Sequence, residues 1–231
     1  MRRVLALCVL VSSIAGFATA PVPPRQSARL PARRGYEESS GAVKGIVGGL
    51  TALVNAIAGG AAEADEVDNR PPVSAADLAT GLRGDFDRGY LFSGEIDSDL
   101  YDLQCRFTDP TLSFVGLRQF EKNIRNLGPI LDAAFDEPRT TLFSLTERPE
   151  DRQVIARWRM AGEINAPWKP FLELEGETTF SYNEVTGRVV DYDEAWVQEA
   201  GAVLLQLVRP GGGRAAPTDE PSREAAESWG L

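Results

Sequence analysis

The sequence contains no histidine and only two cysteines among its 231 residues. Without histidine it has no Ser-His-Asp triad, no HExxH zinc motif and no imidazole acid–base chemistry. Cys8 lies in the N-terminal leader, and a lone Cys105 makes neither an internal disulfide nor a thiolate-rich metal site. We therefore predict no metal and no cofactor, and we interpret Cys105 as a half-buried structural residue rather than a nucleophile.

Acidic residues are absent from the first 36 residues, which carry six arginines. Since the whole chain has a net charge of −10, the part after residue 36 carries −16. A body this acidic repels phosphate backbones, which argues against nucleic-acid binding. The apolar content of 43% is ordinary for a globular protein and sufficient for a hydrophobic core.

Residues 1–16 have the features of a secretory signal peptide, with two arginines, a short apolar run and then small residues. The run is too short to indicate a membrane anchor. Residues 17–36 are rich in Arg, Pro, Ala and Ser, which is the composition of a transit peptide. Phe17 follows the junction between the two segments and resembles the import signal of algae with complex plastids. We predict a plastid protein, because secretion alone would not need the second segment.

Residues 37–73 are predicted to be an Ala/Gly-rich apolar spacer followed by an acidic linker that ends in a Pro-Pro pair. Three interpretations of residues 45–62 stay open: a flexible spacer, a thylakoid-transfer signal and a membrane anchor. We favour the spacer because five glycines, Thr51 and Asn55 weaken an inserted helix. The stroma is accordingly favoured over the thylakoid lumen, and membrane contact by residues 45–62 is not excluded.

Residues 74–211 are predicted to form one domain with its helices first. Ser74 is a candidate N-cap with Asp77 in the first turn of the following helix. Helical spacing of apolar residues predicts a second helix that ends near Tyr101, and a third helix begins at Gly116.

From Arg139 onward the periodicity changes from 3.6 to 2. This change predicts four antiparallel strands, at residues 140–146, 154–160, 172–182 and 189–198. Helices followed by a meander of strands indicate an α+β domain, and one charged strand face indicates a sheet covered on one side only. Residues 212–231 lack any period and are predicted to be disordered.

A family resemblance rests on the stretch Tyr90–Leu127 (YLFSGEIDSDLYDLQCRFTDPTLSFVGLRQFEKNIRNL). It also rests on three later motifs in matching order, Ala156-Arg157-Trp158-Arg159-Met160, Pro167-Trp168-Lys169-Pro170 and Asp193-Glu194-Ala195-Trp196. Over residues 76–211 the chain resembles a plant and algal plastid family of unknown function in the nuclear transport factor 2-like, or SnoaL-like, superfamily. The resemblance implies a cone-shaped fold, in which N-terminal helices pack on a strongly bent antiparallel sheet of about four strands and leave a pocket.

Three residues are candidates for catalysis: Asp109, Glu194 and Tyr101. Related folds place carboxylates in an apolar pocket, where burial raises their pKa, and use a tyrosine to stabilise an enolate. Structural roles are favoured for both carboxylates. Asp109 precedes Pro110 in good turn chemistry, and Glu194 would pair with an arginine of a neighbouring strand.

Two further sets of residues are candidates for binding. The aromatic set, for a flat apolar ligand, is Phe107, Phe114, Trp158, Trp168 and Trp196, of which Trp158 and Phe107 are equally suited to the core and Trp168, in a Pro-flanked loop, to a lid or rim. The charged set, for a homodimer or protein partner docked on the sheet, is Arg157, Arg159, Glu173, Glu175 and Glu177.

These features leave three hypotheses for function. The first is a plastid binding protein that holds a small apolar ligand in the pocket. The second is an isomerase or cyclase that uses the pocket carboxylates. The third is a non-catalytic assembly factor that docks through the sheet. The fold by itself selects none of them.

Overall fold

The computed structural model describes residues 68–110, 113–211 and 217–231, so the predicted leader and the spacer up to residue 67 lie outside the described residues. The helices are α1 (Ala75–Asp87), α2 (Tyr90–Ser93), α3 (Leu117–Ala134), α4 (Ala200–Val208) and α5 (Arg223–Trp229). The strands are β1 (Tyr101–Thr108), β2 (Ser113–Val115), β3 (Phe135–Arg148), β4 (Gln153–Ile164), β5 (Phe171–Tyr182) and β6 (Val189–Trp196). None of the helices in these described ranges is long and apolar enough to cross a membrane.

Helix α1 begins at the predicted cap. The Ser74 side chain accepts a hydrogen bond from the amide of Asp77, and Leu78 and Phe86 lie on the buried face of the helix. Two interior glycines do not interrupt the helix. The break falls at Gly89, whose φ of 65° lies in the left-handed region that glycine adopts without strain.

The prediction of a second helix that ends near Tyr101 is wrong. Helix α2 ends at Ser93, and strand β1 begins at Tyr101. The buried residues Tyr101, Cys105 and Phe107 lie at odd positions, which is the period of a strand rather than of a helix. Cys105 is fully buried rather than half-buried, and burial raises the pKa of its thiol, in agreement with a structural role.

One sheet holds the six described strands in the order β2-β1-β6-β5-β4-β3. Strands β3 to β6 correspond to the four predicted strands. The expectation of a purely antiparallel sheet of about four strands is wrong, because β1 and β2 extend one edge and β1 runs parallel to β6. Two register shifts between β3 and β4 mark bulges, which bend strands.

Helix α4 protects the part of β5 that β6 does not reach. Strand β6 pairs with β5 from Tyr182 back to Gly176. Beyond that point the Gln206 side chain accepts a hydrogen bond from the Glu173 amide at 2.8 Å and donates one to the Glu173 carbonyl at 3.0 Å. The amide group of Gln206 therefore replaces a strand residue and satisfies the backbone of this edge.

Residues 217–231, which we call the C-terminal segment, are ordered, so the prediction of disorder for residues 212–231 is wrong for this part. Ser222 caps α5 by accepting a hydrogen bond from the Ala225 amide, and Ala225 and Trp229 are buried. The segment lies on the charged strand face, where Arg159 is only 3% exposed and Glu175 only 1%. The expectation that only one face of the sheet is covered is therefore also wrong.

Candidate functional site

A cavity of about 160 Å³ lies between the helices α2 and α3 and the strands β1, β2 and β6, and is partly open to solvent. The apolar part of its wall consists of Leu91, Phe92, Phe107, Phe114, Phe120 and Ile124. Side chains with polar groups on the wall are Tyr90, Thr108, Asp109, Tyr192 and Glu194. Its composition is that of a ligand pocket, mostly apolar with a few convergent polar groups.

Glu194 is the best-defined polar group of the cavity. Its Oε2 accepts a hydrogen bond from the Tyr192 hydroxyl at 2.6 Å, and its Oε1 accepts one from Trp196 Nε1 at 2.7 Å. The three residues alternate along β6 and therefore share one face of the strand. Burial raises the pKa of Glu194 to about 7, the charge of Asp109 adds to the rise, and the two donated hydrogen bonds oppose it. Near neutral pH, comparable amounts of this carboxyl group are charged and uncharged.

A chain of hydrogen bonds leads from the core to Glu194. Trp158 Nε1 donates to Thr178 Oγ1 at 2.8 Å, Thr178 in turn bonds Tyr90, and the hydroxyls of Tyr90 and Tyr192 lie 2.9 Å apart. An indole N–H only donates, so the donors point from Trp158 towards Glu194. Burial raises the pKa of both tyrosines, which keeps them neutral donors. This order aims the Tyr192 proton at the Glu194 carboxylate.

Asp109 lies at the edge of the same cavity, directly after the end of β1 and before Pro110. Its negative charge is the second largest cause of the raised pKa of Glu194. The structure therefore brings together the two carboxylates predicted from the sequence. In the described part of the chain, Glu194 bonds Tyr192 and Trp196 rather than an arginine of a neighbouring strand.

Tyr101, the third candidate for catalysis, does not line the cavity. Its ring is 1% exposed and packs against Phe107 and Phe120, behind the cavity wall. The tyrosines that approach the carboxylate are Tyr90 and Tyr192. Strand parity with Glu194 indicated the position of Tyr192, whereas no local pattern indicated Tyr90, which a separate helix brings to the site.

The aromatic candidates divide between the cavity and other places. Phe107 and Phe114 line the cavity and stack on each other at 5.5 Å. Trp158 is fully buried in the core, and Trp196 holds Glu194 without being part of the wall. Trp168 lies away from the cavity, where its Nε1 donates to the Leu207 carbonyl at 2.9 Å and ties the β4–β5 loop to α4. The stacking partner missed by the sequence is Phe120, whose ring centroid lies 3.8 Å from that of Phe107.

The charged candidates face the other side of the sheet and pair with one another across β4 and β5. We call this set (Arg157, Arg159, Glu173, Glu175 and Glu177) the charged face. Arg157 lies opposite Glu177 with Nε 2.8 Å from its carboxylate, and Arg159 lies opposite Glu175 with Nη2 at the same distance. Arg159 Nε also lies 3.2 Å from Glu173 Oε1. The opposite charges therefore complement each other within one chain, beneath the C-terminal segment.

Metal-binding geometry is not found in the described ranges, where no group of three or more His, Cys, Asp or Glu side chains is arranged to hold an ion. The hydrogen-bond donors and acceptors of the cavity are therefore those of the tyrosines, Thr108 and the two carboxylates.

The sequence matches the model of one protein family, described as "Uncharacterized conserved protein (DUF2358)", over residues 76–191. No sequence among the curated proteins matches this chain.

Several solved structures are similar in fold. A putative SnoaL-like polyketide cyclase from Jannaschia sp. CCS1 superposes with a TM-score of 0.44 at 16% identity, covering 63% of this chain and 100% of that one. A nuclear transport factor 2-like protein from Burkholderia thailandensis E264 has a TM-score of 0.43 at 13% identity, over 60% and 99%. An epoxide hydrolase-like protein from M. tuberculosis has a TM-score of 0.41 at 9% identity, over 59% and 90%. Similarity at this level carries no information about chemistry.

Proposed function

The chain belongs to the DUF2358 family, and we propose that it binds a small, mainly apolar molecule in the cavity and transfers a proton to or from it through Glu194. The observation that carries the proposal is a carboxyl group with a pKa of about 7 at the edge of an apolar cavity. A general acid or base works best when its pKa lies near the operating pH.

The size of the cavity limits the ligand. Its volume of about 160 Å³ is close to the ~150 Å³ of an engineered cavity that binds benzene, and below the roughly 300–1,000 Å³ of common drug-sized sites. A single ring or a five- to six-carbon fragment fits, whereas a whole pigment or sterol would have to remain mostly outside. The stacked rings of Phe107 and Phe120 favour a flat ligand.

The roles of the polar groups follow from their positions. Ionised Glu194 accepts a proton from a carbon or oxygen atom of the ligand, and Tyr192 and Trp196 hold its two oxygens in place. The hydroxyl of Tyr90 lies on the cavity wall and is a donor for developing negative charge. Asp109 at the cavity edge keeps the pKa of Glu194 high through its charge. This arrangement suits an isomerase or cyclase that moves a proton next to a carbonyl group.

Cyclohexanone is a suitable probe, because it is small, mainly apolar and carries exchangeable protons next to a carbonyl. We expect the full chain to accelerate exchange of these protons with D₂O, measured by NMR, and the acceleration to increase with pH through about 7 as Glu194 ionises. The Glu194→Gln variant should retain the binding of cyclohexanone and lose the acceleration.

A binding protein without catalysis is the second candidate, because both oxygens of Glu194 already accept hydrogen bonds from protein groups. Binding of cyclohexanone or phenol without any exchange above the Glu194→Gln level would favour this candidate. A failure of both probes to perturb the NMR signals of the cavity residues would contradict both candidates.

Targeting to a plastid is also a proposal, and its support is the composition of residues 1–36. These residues fused to a fluorescent protein should deliver it to the plastid of an alga with complex plastids, and residues 1–16 alone should deliver it only to the secretory pathway. The addition of residues 37–73 tests the stroma against the thylakoid lumen or membrane.

A further inference from the structure

We propose that the charged face is a peptide-binding site, which the C-terminal segment occupies in its own chain and which the same segment of a second copy occupies by exchange. The face is made of odd-numbered residues of β4 and β5, whereas Trp158 and Thr178 of the cavity network are even-numbered. The site is therefore separate from the cavity and does not depend on the function proposed for it.

Arg159 recognises the backbone of the segment. Its Nη1 donates to the Thr218 carbonyl at 2.6 Å, and its Nη2 donates to the Glu220 carbonyl at 2.9 Å. The same guanidinium donates to Glu175, and its side chain is 4% exposed. A rigid, always charged fork of donors suits two carbonyls of an extended chain. These contacts read the course of the chain rather than its side chains.

Glu175 recognises one particular side chain. Its Oε1 accepts a hydrogen bond from the Ser222 amide at 2.9 Å, and its Oε2 accepts one from the Ser222 hydroxyl. The Ser222 Oγ in turn accepts a hydrogen bond from the Ala225 amide and begins α5. A residue without a hydroxyl would lose both the cap and one contact to the buried carboxylate.

Trp229 is the apolar anchor of the segment. Its ring lies 5.8 Å from the ring of Phe143, and the guanidinium of Arg157 lies 5.6 Å from its centroid. The site thus specifies a ligand: an extended stretch, a serine N-cap and one helical turn that ends in tryptophan. The sequence known to meet this description is the segment itself, so we assign the segment of a second copy as the occupant in trans.

The segment is detachable because the surface beneath it is charged. When it leaves, water hydrates Arg159 and Glu175, which stay paired at 2.8 Å, so no large apolar surface is exposed. Exchange with a second copy re-forms identical contacts. A short tether gives the segment of the same chain an effective concentration of about 1 mM, so the closed form prevails in dilute solution.

A synthetic fluorescent peptide with the sequence of residues 217–231 tests the site on the full chain. The Ser222→Glu substitution in the protein places a carboxylate against Glu175 and should release the chain's own segment while leaving the site intact. We expect this variant to bind the wild-type peptide at least ~10-fold more tightly than the wild-type protein does, because the competitor no longer fills the site. The matched control peptide, which itself carries Ser222→Glu, should bind at least ~10-fold more weakly.

Binding should be lost again when Glu175→Gln is added to the Ser222→Glu protein. Failure of the peptide to bind a Ser222→Glu protein with an unchanged far-UV circular dichroism spectrum would overturn the proposal, and so would equal binding of the two peptides. Ser222→Ala is the milder variant if Ser222→Glu does not fold. A foreign peptide that displaces the segment more effectively than the segment itself would overturn the assignment of a second copy as occupant.

Discussion

The raised pKa of Glu194 predicts how the stability of this protein depends on pH. In the unfolded chain this group titrates near 4.5, and in the folded chain near 7. Between these values the folded state binds more protons than the unfolded state. The free energy of unfolding therefore decreases as the pH rises through this window, and the contribution of Glu194 is fully present only below about pH 4.5.

The size of the effect follows from the shift. A rise from 4.5 to about 7 corresponds to at most ~3 kcal/mol of stability lost between pH 4.5 and pH 7.5. Because Glu194 is half-buried and partly screened by solvent, we expect about 1–3 kcal/mol. The Glu194→Gln variant has no charge to bury, so its stability relative to the wild type should increase by this amount across the same range.

Asp85 acts in the same direction and has to be separated from Glu194. Burial raises its pKa from 3.8 to about 6, its Oδ1 accepts a hydrogen bond from the Asp97 amide, and it is 1% exposed. Its contribution is lost between about pH 4 and pH 6. In the Glu194→Gln variant the decrease should therefore end near pH 6, whereas in the wild type it continues to between pH 7 and 8.

Urea denaturation at half-unit steps from pH 5 to pH 8.5, at constant ionic strength, measures both curves. The m-value should not change, since the substitution leaves the buried area unchanged. Glu184→Gln, in the exposed β5–β6 turn, is the matched control and should give a curve parallel to that of the wild type. Parallel curves for Glu194→Gln and the wild type would refute the raised pKa and remove the main support for proton transfer at this site.

Three other predictions concern the packing of the domain. Gln206→Ala should lower the free energy of unfolding by about 1–3 kcal/mol in urea denaturation, because it leaves an amide and a carbonyl of β5 without partners. Gly176→Ala should cost a similar ~1–3 kcal/mol, since a Cβ there would lie 2.6 Å from Trp158 Cζ2, whereas Gly201→Ala, with nothing within 4 Å, should be neutral or slightly stabilising. The Cys105 thiol, fully buried and with a raised pKa, should react with a thiol reagent only as fast as the protein unfolds, and rapid labelling of the folded protein would contradict its placement in β1.

Local patterns explain which parts of the fold could be predicted. The start of α1 depends on Ser74 and its own first turn, and β4 to β6 show alternation that one strand displays by itself. Strand β1 was missed because Leu100 and Leu103 match a helical spacing, while Tyr101, Cys105 and Phe107 match the spacing of a strand. The choice between them is decided by pairing with β6, which lies more than 80 residues away.

The C-terminal segment illustrates a stronger limit. Its sequence is polar and without period, so composition predicts disorder. Its order depends on Arg159 and Glu175, two buried charges whose hydrogen bonds reach residues 218–222 across the fold. A prediction from the segment alone cannot include partners that lie elsewhere in the chain.

The candidate site was predictable to the same degree as its strands. Alternation along β6 gave the face of Glu194, and the β1–Pro110 junction placed Asp109 near the mouth of the fold. The hydroxyl of Tyr90 reaches the same network from α2, which no spacing along the chain indicates.

The strict alternation of β4 and β5 also explains how one sheet carries two sites. Even-numbered residues such as Trp158 and Thr178 support the carboxyl group of the cavity, while the odd-numbered Arg159 and Glu175 hold the C-terminal segment. Only the thickness of one pleated sheet separates the two sets, yet their side chains point in opposite directions. A side-chain substitution in one set therefore leaves the partners of the other in place, and the functions of the two faces can be tested one at a time. A one-residue slip in the register of either strand would exchange the two sets, so both sites depend on the same continuous pairing of β4 with β5.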